Sequence, residues 1–123
     1  MAVLNEYSSL MQVAIRSPLN SFISDEKLSN EWEGLRFHSQ PGLEESINEF
    51  IEFRKLLLND EIEIIDLPQV KGLTIDSIYT RDSILISPNG LILCNMGRAS
   101  RTPEARANYE DLKLQGHRIA GEI

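Results

Sequence analysis

The stretch Ile84-Leu85-Ile86-Ser87-Pro88-Asn89-Gly90-Leu91-Ile92-Leu93 decides how this sequence is expected to fold. Two mainly apolar runs that contain isoleucine, Ile84 to Ile86 and Leu91 to Met96, flank a segment of turn-forming residues. Serine, proline, asparagine and glycine favour the conformations that reverse a chain between two strands. The stretch therefore predicts a β-hairpin.

The residues after the hairpin predict a helix and a further strand. Thr102-Pro103-Glu104 offers an N-cap at Thr102, a proline at the first helical position and an early acid. The helix is expected to run through Leu112 and Leu114 to Gly116, and a strand to begin over 117–120. Hairpin, helix and strand together make a ββαβ unit.

The residues before the hairpin predict alternating strands and helices. Glu61 to Leu67 alternates at period two and stops at Pro68, which is typical of a strand. Apolar residues recur at helical spacing over 43–58. Further elements are expected as follows: a strand over 11–16, a short helix over 25–33 and a strand from Ile75 to Tyr79. We predict a single α/β domain over residues 1–123 with mixed sheets.

The composition of the sequence limits which molecules the protein is expected to bind and in which compartment it is expected to occur. The net charge of −7 opposes broad attraction to nucleic acid or to anionic membranes. No apolar run is long enough to cross a bilayer, and Met1-Ala2-Val3-Leu4 lacks the basic start of a secretory signal. The single cysteine, Cys94, excludes an internal disulfide and favours a reducing compartment such as the cytoplasm. Small molecules and proteins are the expected partners.

Charged residues beside the predicted strands are the candidate ligand-binding groups. Asp82 follows Tyr79 at a strand edge, where its carboxylate can accept paired hydrogen bonds from a planar cation. Arg101 precedes a predicted helix N-terminus, where its charge and the free amides can bind a carboxylate or phosphate. Taken singly, Asp76 and Asp82 also suit turn caps or surface ion pairs, and arginines are common in such loops without a ligand. Arg98 lies close by in the same loop.

No nucleophile or metal site is predicted. Cys94 lies in an apolar run, where a thiol usually packs as a small apolar side chain. His38 and His117 have no metal-ligand spacing with each other or with Cys94. We therefore assign no catalytic residue and no metal, and expect no cofactor.

The segment over 73–116 resembles the guanidino-group-modifying superfamily, which has the pentein fold of arginine deiminases, dimethylarginine dimethylaminohydrolases and amidinotransferases. Three motifs carry this resemblance: Asp76-Ser77-Ile78-Tyr79-Thr80-Arg81-Asp82, Leu91-Ile92-Leu93-Cys94-Asn95-Met96-Gly97 and Ser100-Arg101-Thr102-Pro103-Glu104. The pentein fold is a five-bladed α/β-propeller of ββαβ units, so the resemblance implies a partial propeller here.

The resemblance also implies a substrate site. It assigns the substrate guanidinium to Asp82 with Tyr79 beside it, and the substrate carboxylate to Arg101. Asp76 falls where some members have an acid near the amino-acid end of the substrate. The implied ligand is arginine or a substituted arginine.

Catalysis in that superfamily uses a late cysteine, a histidine and an acidic Gly-Gly-Asp segment, which come after the point that corresponds to Ile123. Cys94 does not match the nucleophile. The resemblance therefore implies an N-terminal portion of a hydrolase or amidinotransferase that keeps part of the substrate site, lacks the catalytic histidine and cysteine, and is inactive alone. Uncovered strand edges would favour a homo-oligomer. The alternatives are a noncatalytic anion-binding or assembly module, using the loop over 98–104, and a structural α/β protein without a small ligand.

Overall fold

The first half of the chain forms a parallel pair of strands joined by helices. A computed structural model describes residues 7–123. Strand β1 (Gln12–Ile15) pairs in parallel with β2 (Glu63–Asp66), with Gln12 opposite Glu63. Three helices connect the two strands: α1 (Pro18–Ser21), α2 (Asp25–Glu31) and α3 (Leu43–Asn59). The strands predicted over 11–16 and 61–67 and the two longer helices are confirmed.

The second half forms a ββαβ unit, which consists of the predicted hairpin, the predicted helix and the predicted last strand. Strands β3 (Ile84–Ser87) and β4 (Gly90–Leu93) are antiparallel, helix α4 (Glu104–Leu114) follows, and β5 (Ile119–Glu122) lies parallel to β4. The order β3-β4-β5 makes a mixed sheet. Gly90 has φ of 134°, and a Cβ there would lie 2.5 Å from the Arg118 carbonyl oxygen, so the β4–β5 approach requires glycine.

The two sheets share an apolar core that α4 completes. Its buried members come from β2, the residue that follows it, β4 and α4: Ile65, Leu67, Leu91 and Leu112. A second cluster packs α3 on the first sheet, and a third joins Phe22 and Leu28 to Ile75. The third cluster fixes the segment that begins at Ile75 against α2.

The strand predicted from Ile75 to Tyr79 is wrong. The chain instead makes two short 3-10 helices, Ile75–Ile78 and Thr80–Asp82. The hydroxyl of Thr74 accepts a hydrogen bond from the Asp76 amide and begins the first turn. Three successive residues, 75–77, are buried, whereas a half-buried strand would bury alternate residues. Tertiary packing therefore overrides the β propensity of the isoleucines.

The N-cap predicted at Thr102 is also wrong. A 3-10 turn, Ala99–Arg101, precedes α4, and Pro103 occupies the cap position without a side-chain hydrogen bond. The first helical residue, Glu104, directs its carboxylate back to Arg101. An ion pair thus stabilises the start of α4 in place of a hydroxyl cap.

Helix α3 is only partly covered by the rest of the described chain. Only Leu57 is buried along its 17 residues, and four apolar residues are exposed: Ile51, Phe53, Leu56 and Leu58.

No helix within residues 7–123 is both long enough and apolar enough to cross a membrane.

Candidate functional site

The turn over 75–82 is anchored by polar contacts from distant parts of the chain. The Ile75 amide donates to a carboxylate oxygen of Glu31 at 2.9 Å. The guanidinium of Arg16 donates to the Ser77 carbonyl at 3.0 Å. Both contacts use groups that a strand would have directed to a neighbouring strand. Because these contacts hold the turn against α2 and β1, the side chains of the turn lie at defined positions.

Arg101 joins this turn to the start of α4. Its Nε and Nη2 donate to the two carboxylate oxygens of Glu104, both at 2.7 Å, and its Nη1 donates to Asp82 Oδ2 at 2.9 Å. Nη2 also reaches the carbonyls of Asp76 (3.3 Å) and Tyr79 (3.2 Å). Arg101 is 9% exposed and Glu104 is 0% exposed. The hydrogen bond to Glu104 is the largest cause that raises the pKa of Arg101 above its usual value.

A pocket of about 300 Å³ opens beside the turn and the loop before α4. This volume is at the lower end for small-molecule sites and suits a ligand the size of an amino acid. The walls include both signs of charge and an aromatic ring. The lining residues are Leu35, Asp76, Tyr79, Met96, Gly97, Arg98 and Arg101.

Asp76 and Arg98 face each other loosely in this pocket. Nη1 of Arg98 lies 3.7 Å from Oδ2 of Asp76, beyond hydrogen-bond distance, and donates to the Leu35 carbonyl at 2.8 Å. The Asp76 side chain is 8% exposed, whereas the Arg98 side chain is 43% exposed. Within residues 7–123 no side chain or amide donates a hydrogen bond to the Asp76 carboxylate. This carboxylate keeps the capacity to accept from a ligand.

The structure brings together the four residues predicted to bind substrate. Asp76, Tyr79 and Arg101 line the pocket. Asp82 adjoins it through its ion pair with Arg101, its side chain is 48% exposed, and its Oδ1 accepts no hydrogen bond from the described residues. Tyr79 is half exposed, with its ring centroid 6.4 Å from that of Phe37. Their predicted roles toward a ligand remain predictions.

Sequence reasoning missed the buried arginine behind the site. Arg16 donates to the Pro68 carbonyl (3.0 Å), the Ser77 carbonyl (3.0 Å) and Asn108 Oδ1 (2.6 Å). Asn108 in turn donates to the Ser83 hydroxyl at 2.9 Å. Burial lowers the pKa of Arg16, and the carboxylates of Glu104 and Asp111 act in the opposite direction. The only signal in the sequence is that Arg16 ends an apolar strand.

A larger depression lies away from these residues. It has a volume of about 550 Å³ and lies at the start of α3. Its lining residues are Asp25, Gly42, Leu43, Glu44, Glu45, Asn48 and Glu49. None of the described residues that line it has a positive side chain. We favour the smaller pocket as the candidate site because it combines carboxylates with guanidinium groups on an anchored turn.

Cys94 is not among the residues that line the candidate pocket. Cys94 follows β4 with intermediate exposure, and its thiol lies 3.8 Å from the Ile92 carbonyl. Across residues 7–123, no three side chains of histidine, cysteine, aspartate or glutamate are grouped as metal ligands require.

Comparison with solved structures finds the same fold in dimethylarginine dimethylaminohydrolases. One is a crystal structure of such an enzyme as an adduct with 4-chloro-2-hydroxymethylpyridine. Its sequence is 17% identical to this chain and the TM-score is 0.68. The match covers 94% of this chain and 41% of that chain. Another is the enzyme from Pseudomonas aeruginosa, a cysteine-to-serine mutant complexed with citrulline, with 17% identity and a TM-score of 0.69, covering 91% of this chain and 41% of that one.

These similarities show the fold of the chain. The chain spans 41% of the length of the two neighbouring structures. No protein-family model matches the sequence, and no curated protein matches it significantly.

Proposed function

We propose that this chain binds the substrate of a guanidino-modifying reaction, with arginine or a substituted arginine as the ligand. The observation that carries the proposal is the pocket itself. Two carboxylates with unused acceptor capacity, Asp76 and Asp82, lie beside the Tyr79 ring and two guanidinium groups. A ligand with a planar cation at one end and a carboxylate at the other complements such a pocket. The neighbour complexed with citrulline supports an arginine-like ligand.

Recognition is the part of the reaction that we assign to this chain. Asp82 accepts from the ligand guanidinium through Oδ1 while Arg101 holds its Oδ2, and Tyr79 covers the bound cation. The described lining residues include no cysteine or histidine. Attack on the guanidinium carbon, in a hydrolase or an amidinotransferase, would use a nucleophile and a proton carrier from elsewhere in the functional protein.

The proposal includes membership of the pentein superfamily, with the chain as the N-terminal portion of an α/β-propeller. Support comes from the ββαβ unit over 84–122 and from the fold shared with longer neighbours. The lone thiol of Cys94 is compatible with a reducing compartment, and we propose the cytoplasm.

Binding of arginine and citrulline tests the proposal. Citrulline has the same amino-acid end as arginine but an uncharged ureido group. We expect arginine to bind about tenfold more tightly, because hydrogen bonds from a charged donor to a carboxylate are stronger than neutral ones. Asp82→Asn should remove most of this preference. Asp76→Asn should weaken the binding of both ligands and leave the preference unchanged, because their amino-acid ends are the same. Isothermal titration calorimetry, or NMR titration for weak binding, measures each dissociation constant.

The control for these variants is Asp60→Asn, which removes the same charge at an exposed position after α3. Equal affinity of the native protein for arginine and citrulline, or an equal effect of all three substitutions, would contradict the proposal. Acetate, titrated in parallel, tests the alternative of a noncatalytic anion-binding module, which would bind acetate through the loop over 98–104 and would not need a guanidinium in the ligand.

Self-association remains a separate prediction. Strand β3 is at the edge of its sheet and carries two exposed apolar residues, Leu85 and Ile86. An apolar edge strand is prone to pair with a second copy. We expect a dimer in analytical ultracentrifugation at micromolar concentration, and a shift toward monomer for Ile86→Lys. A native protein that sediments as a monomer up to high concentration would contradict this prediction.

A further inference from the structure

Asn108 lies at a buried position of α4, where an asparagine is unusual. It is 1% exposed, and asparagine is a weak helix former whose amide is costly to bury without hydrogen bonds. Both ends of the amide are used. Its Oδ1 accepts from Arg16 at 2.6 Å, and its Nδ2 donates to the Ser83 hydroxyl at 2.9 Å. Asn108 is not among the described residues that line the pocket, so an effect on a ligand would pass through these contacts.

These hydrogen bonds have a fixed direction. Arginine carries only donors, so the amide oxygen of Asn108 faces Arg16 and the NH₂ group faces Ser83. The Ser83 hydroxyl accepts from Asn108 and donates its single proton to the Thr80 carbonyl at 3.2 Å. The Thr80 hydroxyl donates to the Ala14 carbonyl of β1 at 3.0 Å. Because Arg16 directly follows β1, the contacts form a closed ring through β1, α4 and the second 3-10 helix.

The ring holds the backbone that carries Asp82. Arg16 also donates to the Ser77 carbonyl in the first 3-10 helix, and Ser83, the residue after Asp82, is 0% exposed. The Asp82 side chain itself is 48% exposed, and Arg101 holds only its Oδ2. The position of Oδ1 therefore depends on how firmly the backbone beside it is held.

We propose that Asn108 is a positioning residue, which through Ser83 fixes the direction in which Asp82 presents Oδ1 to the ligand guanidinium. This assignment rests on the proposed function and adds to it a residue outside the pocket. Hydrogen bonds weaken steeply when their distance and angle change. A small movement of this backbone therefore weakens the selection of a charged guanidinium over an uncharged group.

Asn108→Asp tests the direction of the ring. The introduced carboxylate has nearly the same size and still accepts from Arg16, but it offers Ser83 no donor. The Ser83 proton then turns to the carboxylate and leaves the Thr80 carbonyl. We expect the preference for arginine over citrulline to fall from about tenfold to less than about threefold in isothermal titration calorimetry. Ser83→Ala, which removes the hydroxyl, should lower the preference in the same way.

The matched control is Leu112→Val, which removes one methylene from the buried face of the same helix and takes no part in the ring. It loosens the packing of α4 and should keep the native preference. Circular dichroism checks that each variant is folded, and Ser83→Ala carries the test if Asn108→Asp does not fold.

The outcomes separate the two proposals. If the folded ring variants keep the native preference for arginine, or if Leu112→Val lowers it equally, the assignment of Asn108 is overturned while the proposed function stands. If the native protein does not discriminate arginine from citrulline, the proposed function fails, and the assignment fails with it.

Discussion

Replacing Glu104 with glutamine is expected to lower the free energy of unfolding by about 3 kcal/mol, because it leaves the buried Arg101 guanidinium without its bidentate partner. In the native protein, Nε and Nη2 of Arg101 each donate to a Glu104 carboxylate oxygen at 2.7 Å. Glutamine has only one acceptor oxygen, and its NH₂ group would face the other arginine nitrogen, donor against donor. Arg101 would then hold Asp82 and the turn carbonyls less firmly. Urea denaturation followed by the fluorescence of Trp32, the single tryptophan, measures the loss.

Glu110→Gln supplies the control for this experiment, since it makes the same chemical change at an exposed position of the same helix, α4. It should change the free energy of unfolding by less than about 0.5 kcal/mol. A Glu104→Gln protein as stable as this control would show that the Arg101–Glu104 pair does not hold the site together.

Replacing Arg16 with glutamine is expected to cost about 3 kcal/mol or more, because it leaves buried acceptors without their donor. Arg16 donates to the carbonyls of Pro68 and Ser77 and to Asn108, and the shorter glutamine can reach at most part of this set. The same urea experiment measures the change. Loss of the Ser77 contact should also loosen the turn that carries Asp76 and Tyr79.

Arg106→Gln is the matched control for Arg16 and should be close to neutral, because exposed ion pairs contribute little. Arg16→Gln and Arg106→Gln proteins of equal stability would contradict the account of Arg16 as the buried link between β1, the turn and α4.

Local sequence was sufficient to predict the second half of the fold. The hairpin of β3 and β4 follows from turn-forming residues between two apolar runs. Helix α4 follows from Pro103 and Glu104 at its start, although Pro103 takes the cap position and not the first helical position. The Arg101–Glu104 pair is also local, since the two residues are three apart. Local sequence did not show that Arg101 donates both Nε and Nη2 to Glu104. Which acceptor an arginine pairs with depends on burial, and burial is not visible in local sequence.

The remaining parts of the site depend on contacts between distant residues. Arg16 meets its partners at sequence separations of 52, 61 and 92, and Arg98 meets Leu35 at a separation of 63. No periodicity or motif encodes such contacts in a single sequence. The turn at Ile75 was missed for the same reason: its residues have β propensity, and packing against α2 decides its conformation.

Chemical-shift mapping with arginine tests the central claim, that the pocket beside the turn over 75–82 binds a guanidino ligand. In the ¹⁵N-labelled protein, saturable shifts should appear at the amides of Tyr79, Gly97 and Arg98, and the amides at the start of α3 should not move. Shifts centred on Gly42 and Glu45, where the larger acidic depression lies, would contradict the claim, as would spectra that arginine leaves unchanged.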